Sequence, residues 1–299
     1  MDVFTEILRD ARLFFREAAV AAAHDLGLFA ALPSPREALA GRLHVAPRRL
    51  AALVRVLSLE GILVEQDGIV RAPRIPGRQD VSRNGWGRLA EVVRTDRPLP
   101  SQGVDLSASE ALRRFHAHLH RAGGEAAREV AALLAPGPLL DAGGGTGAYT
   151  AAYLEAHPEE GAVLVDRAEV LELARETLGP LRSRVELVAL DLLGDEAWPR
   201  AGCALLANVL HLYGPADAAE LVARAAESVG PGGQVAVKDF RADSETGAWF
   251  DLNMALFSEA GEVHGEERVE RFLREAGVRD VRTEALRCDP GSIAVLGTK

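Results

Sequence analysis

Cysteine is nearly absent: Cys203 and Cys288 are the only two in 299 residues. Two thiols so far apart in sequence make neither a disulfide framework nor a paired-cysteine metal site, and a reducing cytoplasm is the simplest expectation. The first ten residues carry Asp2, Glu6 and Asp10, so they are not expected to act as a basic-then-apolar leader. No apolar run approaches the ~20 residues of a membrane span; the alanine-rich "AAVAAA" is stopped at once by His24 and Asp25. Positive charge is in deficit, with a formal net charge of -10. A phosphate backbone or an anionic membrane is therefore a poor default partner. Internal repeats and low-complexity tails are missing too. What remains is ordinary globular texture, 48% hydrophobic and 26% charged, enough chain for roughly two domains.

Residues 1 to about 75 read as helices followed by a hairpin. "SPREALAGRL" offers Ser34 as an N-cap and Pro35 at the first helical position. "APRRLAALVRVLSLEG" repeats the pattern, with a leucine and valine stripe and Gly61 closing it. "ILVEQDGIVRA" reads as two short strands around Asp67-Gly68. Helix, helix, hairpin suggests a winged-helix unit. A proline-bearing stretch (Pro73, Pro76, Pro98, Pro100) then connects to a helical pattern that Pro136 ends.

From residue 138 the texture changes. "PLLDAG", "GAVLVDR", "VELVALD", "CALLANVL", "QVAVKDF" and "SIAVLGTK" read as buried strands with helical segments between them. That alternation predicts an α/β fold with a mostly parallel sheet covered on both faces.

The stretch "PLLDAGGGTGAYT" runs from a strand through Gly143, Gly145 and Gly147 into a helix. Glycines belong where backbone turns tightly and a ligand must approach it. Two ligand classes fit the loop. It satisfies the dinucleotide pattern through Gly143, Gly145 and Ala148, with Asp166 further on. It equally satisfies the DxGxGxG pattern of S-adenosylmethionine binders. Three features favour the second. Asp141 puts a carboxylate where a ligand with an ammonium and a sulfonium gains from it, whereas a pyrophosphate at a helix N-terminus does not. "VALDLL" ends in Asp191, suited to the adenine amino group. "SVGPGGQVAVKDF" has a Pro-Gly-Gly turn entering a later strand.

With these motifs the chain resembles the S-adenosylmethionine-dependent small-molecule O-methyltransferases that carry an N-terminal winged-helix dimerisation domain. The resemblance spans nearly the whole chain. "HDLGLFAAL" through "GILVEQDG" resembles the dimerisation domain; "LLDAGGGTG", "VDRAEV", "LDLL", "NVLHLY" and "GPGGQVAV" resemble successive motifs of the catalytic domain. It implies a Rossmann-like, seven-stranded class I methyltransferase domain over 105–299 with a reversed last hairpin, preceded by a mostly helical dimerisation domain over 1–104. It also implies a homodimer. Gly143, Gly145 and Gly147 are then expected along the methionine moiety, Asp166 on the ribose hydroxyls, and Asp191 with Leu192 about the adenine. Asp141 and Asn208 complete the expected cofactor set.

The resemblance also singles out His211 in "NVLHLY" as the general base, with Asp239 in "VKDF" and Glu262 as its acidic partners. Leu212 stands where the family carries an acid, and Tyr213 where it carries tryptophan. A phenol ionises near pH 10 and a free imidazole near 6.5, a gap that a positioned histidine can bridge; phenolic or enolic acceptors are thus expected. Acceptor contacts are expected from Phe115, His118, Asn253, Met254 and Phe257. His116 and His120 have the spacing of a metal-ligand pair, but a solvated helix face is the simpler reading and no metal is expected. Competing readings are a nicotinamide-dependent oxidoreductase, an N- or C-methyltransferase on the same fold, and a ligand-sensing DNA-binding regulator. For the last, residues 34 to 72 hold six arginines against four acids, a weak excess for phosphate binding.

Overall fold

A computed structural model of the chain describes residues 3–78, 85–99 and 124–299, with side chains from residue 14 onward. The chain divides into two compact units, one formed by Phe4–Gly103 together with Glu245–Glu262, the other chiefly by Val104–Ser244 and Val263–Lys299. Among the described residues no helix is long and apolar enough to cross a membrane.

In the first unit, α1 (Val3–Asp25) buries its alanine run, Ala18 to Ala23, and α2 (Leu39–Leu43) leads to α3 (Pro47–Leu59). Proline starts α3 and Gly61, at φ +68°, follows its end, so the sequence signals for both boundaries hold. A hairpin of β2 (Val64–Gln66) and β3 (Ile69–Arg71) closes on Asp67 and Gly68, both at positive φ, as its tight turn requires. Ser34 and Pro35 depart from the expected helix start. They form β1, a two-residue strand paired with Val70 and Ile69; a local cap signal gives way to a non-local strand partner. α4 (Leu89–Thr95) completes the N-terminal part.

The helix α9 (Glu245–Phe257) belongs to this unit although it lies far along the chain. Its Trp249, Leu252 and Leu256 join Leu53, Leu57 and Leu89 in one core. Arg49, almost fully buried, ties the parts together: Nε donates to Asp96 Oδ1 at 2.6 Å and Nη1 donates to the Ala255 carbonyl.

The second unit opens with α5 (described over 124–131) and continues β4 (Leu139–Ala142), α6 (Ala148–Ala156), β5 (Ala162–Asp166), α7 (Ala168–Thr177), β6 (Val185–Ala189) and β7 (Ala201–Ala207). Then come α8 (Pro215–Ser228), β8 (Val229–Phe240), α10 (Glu266–Glu275), β9 (Arg279–Ala285) and β10 (Ser292–Thr298). The seven strands form one sheet in the order β6-β5-β4-β7-β8-β10-β9, all parallel except β10. Alternate residues feed opposite cores, Leu140, Leu206 and Val237 on the face of α8 and α10, Leu139, Leu205 and Ala236 on the face of α6. The apolar runs announced every strand but β9. Its sequence, RDVRTEA, carries no buried residue and pairs only with β10, so no apolar signal was needed to make it.

The chain runs outward through β4, β5 and β6, then returns to place β7 beside β4. Strand order reverses there, and in such sheets the crevice beyond the strands' carboxyl ends is where ligands bind.

Candidate active site

The loop after β4 is shaped by close packing. Gly143, Gly145 and Gly147 all take positive φ (74°, 59° and 79°), a region that side chains disfavour. A Cβ on Gly143 would stand 2.7 Å from Val209 Cγ2 and 3.4 Å from Leu192 Cδ1. The loops after β4, β6 and β7 therefore converge at that glycine.

Asp141, at the end of β4, is fully buried under this loop. Thr150 of α6 donates to its Oδ2 at 2.6 Å, while Oδ1 has no hydrogen-bond partner among the described residues. Burial pushes its carboxyl up to about 6; the Thr150 hydroxyl opposes the rise and the nearby Asp166 adds to it. A buried acceptor atom without a donor costs stability, and a ligand ammonium, directly or through water, would relieve it. The residues present thus fit a cationic amino-acid group.

Asp166 closes β5 and bonds back to the loop: Oδ2 accepts from the Gly145 amide at 2.8 Å and Oδ1 from the Arg167 amide at 2.7 Å. Asp191, exposed after β6, accepts from the Leu193 amide at 3.1 Å; Leu192 beside it is buried. Tyr213 is half-buried near both carboxylates. Burial first, then Asp191 and Asp166, raises its phenol above the usual range.

Parallel pairing of β7 with β8 sets Ala207 opposite Lys238, so the residues just past each strand meet. His211 lies in a single 3₁₀ turn, Leu210–Leu212, and is 5% exposed. Its Nδ1 lies 2.7 Å from Asp239 Oδ1, and its backbone amide donates to Asp239 Oδ2 at 3.1 Å. A carboxylate only accepts, so Nδ1 carries a proton, and in the neutral form of the ring Nε2 is the nitrogen with the lone pair. Burial alone would raise Asp239. The charge and hydrogen bond of His211, the Phe240 amide and Lys238 outweigh it and hold the carboxyl below its ordinary value.

On the other face of β8, Lys238 is buried against Asp289 at 2.8 Å and donates to Asn208 Oδ1 at 2.8 Å. Burial would lower its pKa, but Tyr149, Asp289 and Asp239 carry it above the usual lysine range. Asn208 has φ +57°, and its amide nitrogen reaches the Tyr149 hydroxyl at 3.4 Å. Sequence reasoning missed Lys238 and Asp289. A signal existed, since Lys238 is one of only two lysines, the other being Lys299, and it interrupts an apolar strand.

The remaining expected residues lie elsewhere. Glu262 falls in the first unit, where it pairs with Arg48 at 3.4 Å. Asn253 is half-buried on α9; Met254 is buried without joining that unit's core, and Phe257 packs partly against it. Phe115 and His118, with His116 and His120, lie outside the described residues.

Comparison with known proteins gives a consistent picture. The profile of the O-methyltransferase domain matches residues 116–279. The tetracenomycin polyketide synthesis 8-O-methyl transferase of Streptomyces glaucescens is 27% identical over 97% of this chain and 95% of its own. The 3-hydroxy-5-methyl-1-naphthoate 3-O-methyltransferase of Streptomyces sahachiroi is also 27% identical, over 93% and 90%. In structure, an O-methyltransferase family 2 protein from Planctomyces limnophilus, solved with apigenin, superposes with a TM-score of 0.79 at 24% identity, covering 100% of this chain and 96% of that one.

Proposed function

The chain belongs to the O-methyltransferase family, and we propose that it methylates a phenolic or enolic hydroxyl of a small aromatic molecule, with His211 as the general base. Members of the family use S-adenosylmethionine, which supplies a methyl group on a positively charged sulfur. The observation that carries the reading is the His211–Asp239 pair, doubly bonded and buried at the carboxyl ends of β7 and β8.

With the cofactor bound, the acceptor hydroxyl would give its proton to His211 Nε2 as its oxygen takes the methyl group, the carbon–sulfur bond breaking to leave a neutral thioether. Asp239 fixes the imidazole in the Nδ1–H tautomer and stabilises the charge that forms, the role of the carboxylate in a catalytic triad. A phenol lies about 3.5 pKa units above imidazole, within reach of a positioned base. Asp141, Gly143, Gly145, Gly147 and Asn208 are assigned to the cofactor's amino-acid end, Asp166 to its ribose, and Asp191 with Leu192 to its adenine. The orphaned Oδ1 of Asp141 supports this assignment.

Acceptor choice is assigned to Phe115, His118, Asn253, Met254 and Phe257. The named acceptors of the relatives, a polyketide and a hydroxynaphthoate, favour fused phenolic rings. Glu262 is the weaker candidate for a second carboxylate, because Arg48 already engages it. The N-terminal unit is read as a winged-helix dimerisation domain of a cytoplasmic homodimer; sedimentation would test the dimer.

The test of the base uses methyl-labelled S-adenosylmethionine and a panel of hydroxynaphthoates and hydroxyflavones. For any acceptor turned over, His211→Gln should lower kcat by about 10²–10⁴-fold, with S-adenosylhomocysteine affinity kept. A loss of only a few-fold would remove His211 from the role.

A further inference from the structure

A second buried histidine touches the turn that carries the first. His264, 1% exposed, sits just before the N-cap residue of α10, Gly265. Its Nε2 is 3.1 Å from the Leu210 carbonyl oxygen and 3.2 Å from that of Tyr213. These two carbonyls flank His211 on either side. Both only accept, so Nε2 carries a proton. The other ring nitrogen, Nδ1, faces Arg268 Nη1 at 3.5 Å. A guanidinium only donates, so a second proton on Nδ1 is disfavoured there. Phe272 of α10 meets the ring edge-on, centroids 5.7 Å apart.

We propose that His264 is a positioning residue for methyl transfer: its shared Nε2–H clamps the Leu210–Leu212 turn and thereby aims His211. This rests on the reading of His211 as the base. A single 3₁₀ turn is weakly held by its own hydrogen bonds, here Leu212 to Val209 and Tyr213 to Leu210, both 3.0 Å. No side chain caps its start. His264 braces it from the residue before the N-cap of α10, and Asp239 holds the His211 amide and ring from β8. With either support gone, the ring pivots on the other. His264 is not itself a base, because the nitrogen it presents to the turn is a donor engaged with two carbonyls. Charged groups around the pair among the described residues include Asp239 and Lys238 from β8 and Arg268 from α10.

Three variants of the full chain test this. His264→Phe keeps a ring against Phe272 and loses the donor. His264→Gln restores an N–H at similar reach, and His264→Asn carries the same amide too short to span both carbonyls. The primary readout needs no acceptor: the proton NMR signal of the His211 Nδ1–H, assigned by its absence in His211→Gln. That signal should persist in His264→Gln and vanish through exchange with water in the Phe and Asn variants.

Where an acceptor of the hydroxynaphthoate panel is turned over, kcat should fall about 10- to 100-fold in the Phe and Asn variants, the scale of a small misplacement of reacting groups. The acceptor KM and S-adenosylhomocysteine affinity should stay within about threefold, and Gln should recover most of kcat. If the Phe variant does not fold, the contrast between Gln and Asn decides. An unchanged Nδ1–H signal in Asn overturns the clamp, as does an equal loss of kcat in Gln and Asn. Because the NMR readout is independent of turnover, failure of the proposed reaction and failure of the clamp remain distinguishable.

Discussion

Lys238 and Asp239 are neighbours on β8, yet they point to opposite faces of the sheet and enter two different buried pairs. Asp239 meets His211 at 2.7 Å, and Lys238 meets Asp289 at 2.8 Å. The distances are nearly equal and so is the burial. The partners differ in kind. An imidazole gains and loses a proton in the physiological range, so its pair can take part in a reaction cycle. An ammonium held above its ordinary pKa against a carboxylate stays charged, so its pair is suited to holding structure rather than moving a proton. One strand therefore carries what we propose as a working pair on the α8 and α10 face and a fixed pair on the other, next to Asn208.

Breaking the working pair should have the largest effect. In Asp239→Asn the amide offers Nδ1 a donor, the imidazole turns to its other tautomer, and Nε2 loses its lone pair. We expect kcat to fall by about 10²–10⁴-fold, read with the acceptor panel, with cofactor affinity changed little.

Breaking the fixed pair should show in stability instead. Lys238→Met leaves Asp289 buried without its cation, and chemical denaturation should report a loss of about 3–5 kcal/mol. Lys238→Met combined with Asp289→Leu should recover most of that loss. If the double variant were no more stable than the single one, the pair would not be the unit that matters.

Asp141 sharpens the contrast as a buried carboxyl with no cation among the described residues. Its folded pKa is raised to about 6 from 3.8. A raised folded pKa means stability that is fully present below about pH 4 and lost as pH rises through about 6. The difference of 2.2 units corresponds to about 3 kcal/mol. Asp141→Asn should therefore melt higher than the parent at pH 8 and converge with it near pH 4, while binding S-adenosylhomocysteine less tightly. Melting curves across that range would read both trends.

The smallest effect is expected beside His211. Leu212 is 52% exposed, and Leu212→Asp, which restores the acid found there in the family pattern, should change kcat by less than about threefold. A larger gain would mean the working pair lacks a third member.

Legibility in the sequence followed the length scale of each interaction. Parallel strands buried on both faces declared themselves as apolar runs, and Asp67-Gly68 declared its hairpin. The edge strand β9 did not, because an edge can be polar on both sides. His211 and Asp239 were legible together through the family pattern, and β7–β8 register explains their meeting. Lys238–Asp289 and the His264 contacts were not, since a long-range side-chain pair and a bond to backbone carbonyls leave no periodic trace. Ser34 and Pro35 show the reverse error, a strong local signal overruled by a distant strand.

The place of α9 in the first unit has a consequence for synthesis. Trp249, Leu252 and Leu256, all at most 1% exposed in that unit's core, are translated long after residues 4–103. At ~5–20 residues per second the gap is roughly 7–30 s. Until then the core residues that α9 covers, Leu53, Leu57 and Leu89 among them, lack that partner. The first unit thus cannot complete its core until α9 has been made.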